Sequence, residues 1–184
     1  MEEEKKHFNP FNFLKKEAPK QFSIVPTRVK PDGTKVIEEE TPLGKTIYEI
    51  KPNGLLISMT YDKNDKLMID YARRTNLEIG HTYDELGKMI YEFNSLYDEH
   101  NVLAKKTEIE YEYYDEGQKC KETILITPGD KITEISFDKS GKQIEKVETR
   151  GSVKTWFDEN DKPIKRQIDR GSGGIIEEDL SDNG

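Results

Sequence analysis

The chain has 184 residues, 33% of them hydrophobic and 36% charged; an ordinary globular domain is about 45–50% apolar. That supply is too thin for a compact two-layer core. Yet 9 Tyr, 7 Phe and a near balance of 29 Lys+Arg with 37 Asp+Glu argue against disorder and for a thin, elongated fold. A net charge of −8 with no basic stripe argues against nucleic acid as a partner, and the single cysteine, Cys120, cannot form an internal disulfide.

Residues 1–20 form a segment of their own. MEEEKKHF has no apolar run behind it, so no cleaved signal peptide is expected. No stretch approaches the ~18 apolar residues of a membrane span. Cytoplasm is the expected compartment, with non-classical secretion left open. Asn9 suits a helix cap, Pro10 the first helical position, and Pro19 ends the run, which predicts a short helix over residues 10–17. Phe8, Phe11, Phe13 and Leu14 give this segment an apolar side. It either covers the first hairpin of an array or docks into a partner's groove.

Residues 21–170 repeat an aromatic-Asp phrase. The copies are Tyr61-Asp62, Tyr83-Asp84, Tyr97-Asp98, Tyr114-Asp115, Phe137-Asp138 and Phe157-Asp158, spaced 22, 14, 17, 23 and 20 residues apart. Two weaker copies, KPDGTKVIE and KPNGLLI, precede them. Asp favours the first position of a type I turn and Gly the fourth, as in Asp84 to Gly87 and Asp138 to Gly141. Asp115-Glu116-Gly117 suits a three-residue hairpin loop with a Gly bulge. The flanks alternate: TEIEYEYY sets Ile109, Tyr111 and Tyr113 against Glu108, Glu110 and Glu112. Period two predicts half-buried strands. The expected fold is therefore all-β, an elongated antiparallel sheet or solenoid-like strip of β-hairpins with about 20 residues per unit.

From Gly171 the sequence turns Gly/Ser-rich and then acidic, so residues 171–184 are expected to be a flexible acidic tail.

Candidate chemistry is sparse. His7, His81 and His100 are isolated, with no zinc spacing, and His81, on a strand near a turn, is expected to be structural. Cys120 lies between Lys119 and Lys121, but alternation puts it on the other face, which predicts a structural thiol. DKND and DEND invite a calcium reading, yet neither continues with the Gly and Glu of an EF-hand loop. No catalytic constellation, metal site or cofactor motif is picked out, and an enzyme is not expected.

The phrases YDELGKMIYE, YDEGQKCKE and FDKSGKQIEK resemble YD repeats of the Rhs and teneurin type over about Tyr61 to Arg170. They are similar also to MORN-variant repeats of small antitoxin-like proteins and to glucan- or choline-binding wall repeats. The first resemblance implies β-sheet strips. Lys88 and Lys142 stand where that pattern usually has Arg, and the copies at Tyr61, Tyr97 and Phe157 lack the Gly. Together these readings predict a non-catalytic repeat protein that binds another protein, as a scaffold or as an immunity or antitoxin-like partner of an Rhs-like system. Trp156 joins Phe8, Phe11, Phe13 and Leu14 as a candidate docking residue. The open edges of such a sheet also admit edge-to-edge pairing of two copies. The alternative is a carbohydrate- or cell-wall-binding module, with aromatic plates stacking on sugar rings.

Overall fold

The computed structural model describes residues 26–42 and 44–181. The expected helix at 10–17 and the side chains of Phe8, Phe11, Phe13 and Leu14 lie outside the described residues.

The first strands are β1 (Arg28–Val29), β2 (Lys35–Thr41), β3 (Gly44–Ile50), β4 (Leu56–Tyr61) and β5 (Leu67–Arg74). The middle of the chain forms β6 (Leu77–Tyr83), β7 (Met89–Tyr97), β8 (Leu103–Tyr113) and β9 (Lys119–Thr127). Then come β10 (Lys131–Phe137), β11 (Gln143–Arg150), β12 (Val153–Phe157), β13 (Pro163–Asp169) and β14 (Ile175–Asp179). Strand order in space equals strand order in sequence, in one open sheet of 14 strands. Every pairing is antiparallel. The expected all-β strip of hairpins is what forms. Among the described residues no helix is long and apolar enough to cross a membrane.

The connections explain why. The Asp84 N–H donates to the Lys88 carbonyl at 2.8 Å, and the Gly87 N–H donates back to the Asp84 carbonyl at 2.9 Å. The same two bonds close the turns that begin at Lys30, Lys51, Asp62, Asp98, Tyr114, Asp138 and Asp158. The fourth residue of each is left-handed. Gly87 takes that place at φ +79, and Asp65, Asn101 and Asp161 take it at φ +59 to +61 where Gly is missing.

The expected tail is a correction. Gly171–Gly173 forms a single 3-10 turn, and Ile175–Asp179 returns as the last strand, paired with β13. The Gly/Ser run that resembles a linker supplies the reversal. Ile176 then pairs with Ile168, Glu177 reaches Lys165 at 3.1 Å, and Glu178 reaches Arg166 at 3.7 Å. A strand with apolar and charged partners on its neighbour docks rather than frays.

A one-layer sheet has no central core. Among the described residues the buried hydrophobics are Val36, Ile37, Phe93 and Val147, spread over β2, β7 and β11. Every pair of strands in substantial contact is a pair of sequence neighbours.

Candidate interaction surfaces

Register assigns the two faces, because directly paired residues point the same way. One row runs Ile37, Tyr48, Ser58, Tyr71, Gly80, Phe93, Glu108 and Leu125 across β2 to β9. This face, here the tyrosine face, also carries Tyr91 and Trp156. The Phe93 ring lies over Gly80: a Cβ there would come within 2.5 Å of it. Tyr71 and Tyr91 flank that ring at 6.4 and 6.3 Å between centroids. The glycine is thus the space that lets one aromatic fold down onto the backbone.

The opposite face carries His81. Its Nδ1 lies 2.6 Å from Asp70 Oδ1 and its Nε2 4.0 Å from Glu92 Oε2. The Tyr83 hydroxyl donates to the other Asp70 oxygen at 2.7 Å. Burial, and then that bond to Asp70, push the Tyr83 hydroxyl up to about 12. The neighbouring Tyr111 is also pushed up, by burial first and then by its hydrogen bond to Glu92. A cavity of about 130 Å³ opens beside this chain of polar groups, lined in part by Ile79, His81, Glu92 and Ile109. In the sequence His81 is an isolated histidine. Its carboxylates come from β5 and β7, so only register reveals them. Among the described residues no group of three His, Cys, Asp or Glu side chains is placed to hold a metal ion.

The aromatic-Asp phrases gather along one edge. The turns at Tyr61-Asp62, Tyr83-Asp84, Tyr114-Asp115, Phe137-Asp138 and Phe157-Asp158 each link an even-numbered strand to the next, so they share that edge. Tyr97-Asp98 links β7 to β8 and lies on the other edge, which accounts for the short spacings around it. Tyr114 is offset by one: its turn begins at Tyr114 itself, Tyr113 takes the aromatic place and Asp115 falls inside the loop. In the other five phrases the Asp carboxylate caps its own turn. Asp84 Oδ1 accepts from Leu86 N–H and Lys88 N–H, both at 2.8 Å, and Asp62, Asp98, Asp138 and Asp158 repeat that pair of bonds. In DKND and DEND, then, the leading carboxylate serves the turn.

Along this edge each turn grips the next. Lys66 donates to the Glu85 carbonyl, Lys88 lies 5.3 Å from the Tyr113 ring centre, and Lys142 pairs with Glu159 at 3.3 Å. The Tyr114 hydroxyl donates to the Phe137 carbonyl at 2.8 Å. Lys139 reaches back to Glu116 at 2.5 Å and holds that carboxyl below its usual value. Gly87, Gly117 and Gly141 give these turns their left-handed corner. The repeat residues are therefore engaged with one another.

Trp156 lies far from that patch of tyrosines, in β12. The ammonium groups of Lys154 and Lys165 stand 5.1 and 5.3 Å from its ring centre. Cys120 is a free, half-buried thiol in β9.

No protein-family model matches the chain, and no curated protein matches it.

Proposed function

We propose that this chain is a non-catalytic β-repeat module that binds another protein through a face of its sheet, with the YD-like phrase pointing to a scaffold or immunity-type partner of an Rhs-like system. One observation carries the reading. A single-layer sheet leaves large side chains uncovered: on the tyrosine face Tyr48, Tyr71 and Tyr91 are only half-buried. Aromatic side chains of this kind, rigid and polar at one tip, are enriched at protein interfaces. The wall-glycan alternative depends most on Trp156 as a stacking plate, and two lysine ammoniums occupy that ring.

The test is affinity purification of tagged full-length protein from its own source, read by mass spectrometry. One stoichiometric protein is expected, lost with Tyr71→Glu while circular dichroism shows the sheet intact. Enrichment of glycan or envelope material instead of protein overturns the reading in favour of wall binding.

A further inference from the structure

The histidine face changes character towards the C-terminus. On β12 it presents two short side chains, Val153 and Thr155. Register sets Thr155 between Glu148 of β11 and Arg166 of β13, and Val153 between Arg150 and Ile168. Short residues on the middle strand and long ones on both sides make a trough. Its volume is about 410 Å³, and its lining is those six residues. That size is within the range of about 300–1,000 Å³ usual for ligand sites.

The lining has a positive excess, Arg150 and Arg166 against Glu148. Its carboxylate, Glu148, is already held by Lys131 at 2.6 Å and faces Lys146 at 4.0 Å. Arg166 meets Glu178 at 3.7 Å, with both side chains partly exposed. Among the described residues Arg150 is in no ion pair, and it is exposed. Lys146 is itself held by Asp161 at 2.7 Å. Four cations thus stand with three carboxylates, Glu148, Glu178 and Asp161, and Arg150 is the cation left over, on a chain whose net charge is −8.

The spacing selects a ligand. β11 and β13 are two strand intervals apart, about 10 Å, which is room for one extended chain above β12. Arg150 and Arg166 lie in adjacent same-face rows, so they are offset along the strand by two residues, about 7 Å. That offset is the repeat between alternate side chains of an extended peptide. Guanidinium groups bind carboxylates in a planar two-point fork, and Val153 and Ile168 give the trough an apolar lining beside them.

We infer that this trough docks an extended acidic–aliphatic segment of a partner protein, with carboxylates two residues apart on Arg150 and Arg166. The inference rests on the protein-binding reading above and names a site for it.

The probe is a dye-labelled, end-capped peptide alternating glutamate with valine, followed by fluorescence anisotropy against the full chain. Binding is expected to fall with rising salt, to weaken tenfold or more in Arg150→Ala/Arg166→Ala, and to be absent for the lysine–valine counterpart. Arg150→Ala alone, at an exposed strand end, is expected to weaken it several-fold without disturbing the fold. Equal binding of the two peptides, no binding, or indifference to both variants overturns the site. So does full displacement by inorganic phosphate at the concentrations that displace acetate, which marks a simple anion site. If the affinity-purified partner persists on the double variant, the trough fails while the protein-binding reading stands. If the wild-type chain holds no partner, it is that reading which fails.

Discussion

At the scale of single residues, the turn aspartates do the organising. One carboxylate oxygen on two backbone N–H groups holds the loop closed with no help from a core. At Asp62 the backbone N–H groups of Lys66 and Asn64 hold the carboxyl below its ordinary 3.8. At Asp138 the Ser140 hydroxyl leads, followed by the Lys142 N–H. A carboxyl lowered in the folded state adds stability that is complete above the unfolded value and lost as pH falls through the folded one. Acid unfolding, followed by circular dichroism, should therefore begin below about pH 4, and Asp138→Asn, which keeps an acceptor but does not titrate, should flatten that limb. An unchanged limb would show that other carboxyls control it. The fourth turn position makes a second prediction. Gly87→Ala places a Cβ at φ +79 and should cost about 1 kcal/mol in urea unfolding. Asp65→Gly, at φ +59, should shift the midpoint the other way.

At the scale of strands, the sequence and the structure part company at one recurring place. Register slips at Tyr61, Tyr83, Tyr97, Tyr113, Phe137 and Phe157, at the aromatic before each turn. The returning strand carries one extra residue there: Met68, Ile90, Ala104, Cys120, Ile144 or Ile164. A bulge of this kind resets the two-residue alternation. This is why KQIEKVETR places Ile144 and Val147 three apart although both lie in β11. Turn chemistry, strand type and fold class were legible because they are local. Which strands brought carboxylates to His81, or arginines to one trough, was not, because register depends on where each bulge falls. The last strand was missed because its Gly-rich lead fits a linker as well as a turn. Strand packing makes its own prediction at Phe93, buried over Gly80: Phe93→Ala should cost about 3 kcal/mol. The tyrosines make another. Tyr83, Tyr91 and Tyr97 are all raised, by burial first and then by Asp70, Glu108 and Glu78. A raised hydroxyl stabilises fully below the unfolded value of 10.0 and ceases to as pH climbs through the folded one. Tyr83→Phe should accordingly remove part of the stability loss between pH 10 and 12, while costing about 1 kcal/mol at neutral pH, where the hydroxyl bonds Asp70.

At the scale of the whole molecule, the sheet is a one-dimensional object. Each strand touches its sequence neighbours, buried hydrophobics are scattered, and no second layer among the described residues couples distant strands. Stability in such an array is close to a sum of unit and neighbour contributions, so it should vary along the chain. The longest strands, β7, β8 and β9, with 9, 11 and 9 residues, sit in the middle, and β1 has only 2. Amide hydrogen exchange should therefore be slowest in β6 to β9 and quicken towards both ends. Phe93→Ala then becomes a test of coupling: it should accelerate exchange in β5 to β9 and leave β12 and β13 near their wild-type rates. Equal acceleration in every strand would mean that the sheet opens as one cooperative unit, and the neighbour-by-neighbour account would be wrong. A confined response has a functional consequence as well. A partner docked on β11 to β13 would then stiffen those strands without reaching the tyrosine patch on β5 to β7, and the two surfaces would bind independently.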